Sequence, residues 1–350
     1  MDKVNYTRGR RYFENYAVKI DNPFMEDFTR ILHSKSYRRL ANKTQVVSLP
    51  RNVYARNRLT HTGEVIAIAT SISEKLGLNT SLCLAIATGH DIGHVPYGHL
   101  GEEVLSEILG KKFKHNIGSV IVAQHIEKRN QGGLNLTFET LQGMLLHSRT
   151  EDMHLKIGGE VPNEYSAVMF ADKIAYTFSD LNDALRYRRI RLDKLPKFIL
   201  KLGKNQDERI YNVLKSLINE SLIKDKLDFS EGKIFEMFKA TREFMFNEVY
   251  KKIDHDIKRI ILKKVFEFLS NDSNFYDVDP KLLFLTLSDD QVDAIGRIIN
   301  EGRICNVDDI KGMGILDSAA ILRGKKIDLT DIDLNWGEKR IKKYLVSYLK

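Results

Sequence analysis

The stretch Gly89-His90-Asp91-Ile92-Gly93-His94-Val95-Pro96-Tyr97-Gly98-His99-Leu100-Gly101-Glu102 constrains this chain more than any other part of it. Three of the chain's ten histidines fall within ten residues, beside two carboxylates. Adjacent His90 and Asp91 offer one imidazole and one carboxylate to a single point, a ligand mixture suited to a divalent ion of intermediate hardness. Pro96 lacks an N–H and pushes Val95 out of the helical region, so the helix carrying the pair is expected to end there. His99 and Glu102 then begin a new segment facing the same cavity. A His-Asp pair alone also fits a solvated helix end, so the reading turns on distant partners.

The chain has 350 residues, enough for one large domain or two modest ones with an ample core. No stretch approaches the roughly 20 apolar residues of a membrane span, and the first residues lack an apolar signal core, which predicts a cytoplasmic protein. Cys83 and Cys305 lie far apart, and Cys83 sits in an apolar helical run, so free buried thiols are expected rather than a disulfide. Six prolines, much Leu, Ile, Lys and Glu, and little alternating pattern predict an all-α protein. The net charge of +8 suggests a polyanionic partner, either a nucleoside triphosphate or a nucleic acid, with a basic solvated surface as the lesser alternative.

Residues 1–21 read as an arm carrying Arg8, Arg10, Arg11 and Lys19. Asn22 and Pro23 read as N-cap and first helical position. Phe24, Phe28, Ile31, Leu32 and Leu40 then give one helix from about 23 to 41, with Arg38, Arg39, Lys43 and Gln45 clustered at its far end. Residues 46–57 read as a loop. Thr60 is the expected cap of a helix over 61–76, with His61 in its first turn and Gly77 as its stop. Asn79 caps the next helix, whose Leu82, Leu84, Ala85, Ile86 and Ala87 make it apolar nearly all round and therefore central; it delivers His90 and Asp91 at its end. Residues 103–126 continue as helices carrying His115 and His125, followed by a loop near Gly132-Gly133 and a helix to about Leu146.

The polar segment 147–162 reads as a loop beside the site, and Asn163 as the cap of a long helix. On that helix Asp172, Tyr176 and Asp180 lie at i, i+4 and i+8, hence on one face, with Asp183 further round. The stripe either lines a cavity or is a solvated acidic face. Residues 206–223 and 231–270 read as two amphipathic helices, the second with Ile234, Phe238, Met245, Val249, Ile253, Ile257, Ile260 and Phe268 as core, and 280–350 as short helices with a basic end. The expected division is a catalytic helical region over 1–200 and a C-terminal helical region over 201–350.

The segments NPFMEDFTRILHSKSYRRLANKTQVV, RNRLTH, GHDIGHVPYGHLGE, FKHN, GLNLTFETLQG and FADKIAYTFSD occur in this order over roughly residues 22–183. In these motifs the chain resembles the HD-domain deoxynucleoside triphosphate triphosphohydrolases, in particular the deoxyguanosine triphosphate triphosphohydrolase-like group. The resemblance implies an HD-domain helical core and hydrolysis of a deoxynucleoside triphosphate, dGTP first, to deoxynucleoside and inorganic triphosphate. It makes His61, His90, Asp91 and Asp172 the ligands of a divalent metal, magnesium or manganese, with iron, cobalt, nickel or zinc as alternatives. His99 and Glu102 match the catalytic pair, His94 and His115 phosphate-side histidines, Arg58 and Lys173 triphosphate contacts, and Gln45, Tyr176 and Asp180 the deoxyribose positions.

Three residues depart from the family pattern: Val95 stands for a common proline, Tyr97 for a phenylalanine, and Lys173 for a frequent second aspartate. Lys173 is what the tetrameric SAM-and-HD-domain branch carries, which leaves base preference open. The stretch from Asp308 to Asp317 matches the family only loosely, so oligomer and effector sites do not transfer. The expected partners are a dNTP, a nucleotide effector, single-stranded nucleic acid and further copies of the chain in a homo-oligomer. Two alternatives remain beside the triphosphohydrolase: an HD-type phosphohydrolase acting on another phosphoester, and a regulatory protein that binds single-stranded nucleic acid around a structural metal.

Overall fold

A computed structural model describes residues 1–14, 20–45, 54–127, 133–148, 161–253, 255–302, 307–330, 332 and 334. Among them there is no strand; the only sheet-like pairings are isolated bridges, Arg10 with Thr137 and Thr44 with Asn57. The all-α expectation holds. Most of the loops expected over 46–57 and 147–162, together with Gly132, Lys19, Cys305 and the basic end, lie outside the described residues.

The organising element is the helix Thr80–Gly89 (α4), which follows Pro23–Leu32 (α1), Lys35–Arg39 (α2) and Arg58–Leu76 (α3). Its Leu82, Cys83, Ala85, Ile86 and Ala87 are wholly buried. Burial of one Leu or Ile side chain is worth about 1.5–3 kcal/mol. Asn79 caps it by accepting from the Leu82 amide, as expected. Helices α1 and α3 pack on it, as do Phe138–Leu146 (α7) and Asn163–Arg186 (α8), following His99–Leu109 (α5) and His115–Ile121 (α6) in the chain. Apolar on every side, α4 can only be a central post.

Local chemistry moves several expected boundaries. The helix expected over 23–41 is broken at His33 and Ser34, because the Ser34 side chain accepts from the Tyr37 amide and starts a new turn while Glu127 takes the Ser36 amide. Asn57, not Thr60, caps α3; Thr60 is its partner in a reciprocal capping box, and Gly77 ends the helix in the left-handed conformation. Pro162 precedes α8, and Asn163 instead bonds Asp2 and Leu227. The helix with His90 at its end stops at Gly89, well before Pro96. There the chain turns across α6: a Cβ on Gly93 would lie 1.9 Å from the carbonyl carbon of Gly118, and the Gly93 amide is taken by the Ser119 hydroxyl at 3.0 Å.

Lys197–Leu202 (α9), Gln206–Lys224 (α10) and Gly232–Glu248 (α11) pack against one another and, through α10 and α11, against α8. Asp256–Asn271 (α12), Pro280–Thr286 (α13), Asp289–Asn300 (α14), Val307–Ile310 (α15) and Ile315–Leu322 (α16) follow among the described residues, with α12 lying against α5 and α14. The single helix expected over 231–270 is therefore two, α11 and α12. Ile257 and Ile260, expected in the core, are 67% and 55% exposed, because α12 turns a different face inward, with Leu262, Val265 and Leu269 buried. The arm over residues 1–14 forms no helix but is tied down: Arg10 bonds Asp27, Glu26 and two main-chain oxygens.

Candidate active site

The ends of α3 and α4, the turn 90–98 and the middle of α8 bring His61, His90, Asp91 and Asp172 together. His61 Nε2 lies 3.0 Å from Asp172 Oδ1, and His90 Nε2 lies 3.6 Å from Asp91 Oδ2 and 3.9 Å from Asp172 Oδ1. His90 Nδ1 meets the Ala87 carbonyl at 2.7 Å, so that nitrogen is the donor and Nε2 is turned toward the two carboxylates. That Nε2 is buried without a hydrogen-bond partner. A buried polar atom left unpaired costs about 1–3 kcal/mol, and an imidazole lone pair aimed between two carboxylates is satisfied by a cation. The donor atoms of His61, His90 and Asp172 all lie within 4.8 Å of one another. Two imidazoles and two carboxylates fit a divalent ion.

The structure adds His147, which sequence reasoning left at the edge of a loop. It is buried, its Nδ1 meets the Met144 carbonyl at 2.7 Å, and its Nε2 has no hydrogen-bond partner. Its donor atom lies with those of His90 and Asp91 within the same 4.8 Å. Burial, reinforced by His90 and His115, pushes its pKa down to about 3, so the ring stays neutral.

Beside this cluster stands a second one. Glu102 accepts from the His115 amide at 2.8 Å, and the same Oε1 lies 2.5 Å from His115 Nδ1, while its Oε2 meets His99 Nδ1 at 3.1 Å. Burial opposes the charge on Glu102, yet His115 and His99 hold its carboxyl well below the ordinary range. Glu102 raises the His99 pKa in turn. His99 is open to solvent over 77% of its side chain, unlike every other histidine of the cluster. His94 stacks on His115 with centroids 4.1 Å apart and stands 3.6 Å from Asp91 Oδ1; burial and Arg58 push its pKa well down.

Arg58 Nη1 donates to Asp91 Oδ2 at 2.8 Å and Nη2 to the Gln45 carbonyl at 3.2 Å, both ends being buried. Burial opposes the Asp91 charge, but His90, His94 and Arg58 keep its carboxyl ionised well below the usual range. Lys173 is buried on α8 next to Asp172, about 100° further round the helix.

The Asp172-Tyr176-Asp180 face of α8 meets α11 and the turn after it, which sequence reasoning did not connect to the site. Arg242 Nη2 donates to the Tyr176 hydroxyl at 2.8 Å, and the Tyr250 hydroxyl donates to Asp180 Oδ2 at 2.7 Å. Burial, against the Tyr250 bond, pushes the Asp180 carboxyl up to about 7. Gln45 is buried with its Oε1 unpartnered. Asp183, further round, pairs with Arg56 at 2.6 Å. The solvated-face reading of the stripe is thus set aside for Tyr176 and Asp180.

Comparison with known proteins agrees with this geometry. The HD-domain family pattern matches residues 58–177, from the first residue of α3 to the middle of α8. The chain is 43% identical over 281 residues to a deoxyguanosinetriphosphate triphosphohydrolase-like protein of Clostridium tetani, covering 78% of this chain and 80% of that protein. It is 38% identical over 277 residues to the protein so described in Caldanaerobacter subterraneus, covering 77% and 78%. It is 41% identical over 259 residues to that of Clostridium perfringens, covering 71% and 74%. Among the described residues no helix is long and apolar enough to cross a membrane.

Proposed function

The chain belongs to the HD-domain deoxyguanosinetriphosphate triphosphohydrolase-like family of metal-dependent phosphohydrolases, and from that premise we propose that it hydrolyses a deoxynucleoside triphosphate, dGTP first, to deoxynucleoside and inorganic triphosphate. The observation that carries this reading is a cation-ready cluster of His61, His90 and Asp172 in the same fold region as a separate His99–Glu102 pair 3.1 Å apart.

In this reading His61, His90, Asp91 and Asp172 hold the ion, magnesium or manganese. When bound it supplies Lewis-acid polarisation of a phosphoryl oxygen and acidification of water. A water oxygen bonds to the α-phosphorus and its released proton passes to solvent, the bond from phosphorus to the 5′-oxygen breaks, and that oxygen leaves with the sugar and takes a proton. His99 donates the proton: the neighbouring Glu102 raises its pKa and so favours the protonated imidazole, and its exposure leaves it free to reach a leaving group. Glu102 orients His99 from one oxygen and His115 from the other.

Arg58, Lys173, His94 and His115 face the triphosphate as a fixed electrostatic clamp. His94 and His115, stacked and close to Asp91, present donors to phosphate oxygens. Gln45, Tyr176 and Asp180 hold the deoxyribose, with the Tyr176 ring against the carbon that bears no hydroxyl. Arg242 and Tyr250 brace that wall, so the region 201–350 supports a catalytic region over 1–200. The deciding experiment offers the four dNTPs and GTP with several divalent ions and reads released triphosphate. A dNTP, and dGTP above the others, is the expected substrate, with GTP rejected. Release of pyrophosphate, or equal turnover of GTP, would refute the proposal.

A further inference from the structure

The turn that leads into His99 is held in a conformation its own residues disfavour. Tyr97 has φ +58°, in the left-handed region that a side chain with a Cβ rarely adopts, and Gly98 follows with φ +57° and ψ −126° as the N-cap of α5. Gly98 makes no side-chain cap bond, and a Cβ on it would lie 2.7 Å from Arg58 Nη2. Glycine takes positive φ freely, whereas Tyr97 does not, so the pair keeps this shape because something outside the turn holds Tyr97 there.

What holds them comes from α12 and α14. The Tyr97 amide donates to Asp289 Oδ1 at 2.9 Å, and the other oxygen of Asp289 accepts from the Thr44 amide at 2.8 Å, next to Gln45. The Tyr97 hydroxyl donates to Asp293 Oδ1. Lys258 Nζ donates to the Tyr97 oxygen at 2.8 Å and to Asp293 at 2.7 Å, and it stands 4.6 Å over the Tyr97 ring. The ring is only half-buried, so packing alone does not fix it. His99, two residues on, is mostly exposed; its ring meets Glu102 at 3.1 Å and lies 5.8 Å and 6.0 Å from the rings of His94 and His115, so whether it reaches these partners depends on how its backbone leaves the turn.

We propose that Tyr97 is a positioning residue: its hydroxyl, anchored on Asp293 and Lys258, fixes the turn that begins α5 and so the direction in which His99 presents its ring to the leaving oxygen. The inference rests on the reading of His99 as proton donor.

Tyr97→Phe removes that hydroxyl and nothing else. Full-length Tyr97→Phe, Asp293→Asn and the double variant are compared with the native chain. The measurements are kcat and KM on the preferred dNTP, the rate on p-nitrophenyl triphosphate, whose leaving group needs no proton, bound metal and Tm. The expected result is a fall in kcat of about tenfold, short of the 10²-fold that a misplacement of about 1 Å costs, with KM and metal content held. The rate on the aryl triphosphate should be unchanged, and the double variant no slower than either single one. Unchanged kcat on the dNTP overturns the proposal, as does equal slowing on both substrates or loss of metal. His99→Ala, run alongside, separates the two readings. If it is selectively slow on the dNTP while Tyr97→Phe is not, only the positioning role falls; if it is equally slow on both substrates, the proton-donor reading falls and takes this one with it.

Discussion

Nδ1 of His90 lies 2.7 Å from the carbonyl oxygen of Ala87, one turn back in α4. The oxygen can only accept, so Nδ1 is the donor and Nε2 faces the space between Asp91 and Asp172. A central apolar helix thus acts on the site directly, its Ala87 carbonyl orienting the ring of the first residue beyond it.

The first prediction follows from that geometry. His61→Ala, His90→Ala, Asp172→Ala and Asp91→Asn should each reduce bound divalent metal to background with helical content retained. Asn is chosen at 91 because Arg58 lies 2.8 Å from the buried carboxylate, and removing one partner of a buried pair costs about 3–5 kcal/mol. Elemental analysis of the purified variants decides it; full occupancy in any one removes that residue from the ligand set.

His147 gives the second. Its free Nε2 shares the space around His90 and Asp91, and its ring centroid is 5.0 Å from that of His90. His147→Ala should weaken divalent-ion affinity by about 10- to 100-fold, the range for groups supporting a metal site. Calorimetric titration of the metal-free protein measures it. Affinity within a factor of about two of the native value, well under that range, would leave His147 a packing residue.

The parts of the molecule that could be read from sequence are those decided by neighbours in the chain. Asn22, Asn79 and Gly77 announce helix ends through their own side chains or their freedom at positive φ, and the apolar run of α4 announces a core helix. Where a boundary depends on a contact from elsewhere, sequence periodicity misplaces it. Glu127 reaching the Ser36 amide helps split the first helix, and the Gly93–Gly118 crossing accompanies an end to the His90 helix earlier than Pro96 allows. The site shows the same divide. His90, Asp91, His99 and Glu102 stand in one motif, whereas His147 is a lone histidine before a polar segment. Arg242 and Tyr250 reach Tyr176 and Asp180 across 66 and 70 residues, from amphipathic stretches in which nothing distinguishes them from solvated polar residues.

Asp180 provides a third prediction, a pH dependence. Burial raises its carboxyl from 3.8 to about 7 in the folded chain. Between those values the native state holds a proton that the unfolded chain has lost. The stability this group contributes is therefore full below about pH 4 and is lost as pH rises through about 7. Asp180→Asn keeps an oxygen for the Tyr250 hydroxyl and cannot ionise. In metal-free protein, the unfolding free energy of the variant relative to the native chain should climb between about pH 4 and pH 7 and level off above, by the same linkage. Urea midpoints across that range test it; a flat or falling difference contradicts a neutral buried Asp180.

The fourth concerns the bond that breaks. Turnover in heavy-oxygen water should place the label on triphosphate and leave the nucleoside unlabelled, because water attacks phosphorus and the 5′-oxygen departs with the sugar. Mass spectrometry of both products reads it directly. Label in the nucleoside would mean attack at carbon, against the role proposed for Arg58, His94 and His115 around the phosphates.

The last prediction separates catalysis from assembly at His99. Its ring bonds Glu102 and reaches solvent, and its nitrogens take no part in the cluster of His61, His90 and Asp172. His99→Ala or His99→Asn should therefore leave metal content and dNTP binding near native levels while kcat falls by about 10² to 10⁴, the range for a lost positioned general acid. Glu102→Gln should slow the reaction less on the proton-transfer side, since it removes an orienting charge and not the donor. It also disturbs His115, whose Nδ1 lies 2.5 Å from the same carboxylate, so a rise in KM is expected with it. A substrate that leaves as p-nitrophenolate needs no proton and should restore most of the rate to the His99 variants but not to Glu102→Gln, where the phosphate-side histidine is also displaced. Loss of metal from the His99 variants, or equal slowing on both substrates, would instead assign His99 to holding the triphosphate, and the proton donor would have to be sought among the other histidines of the cavity.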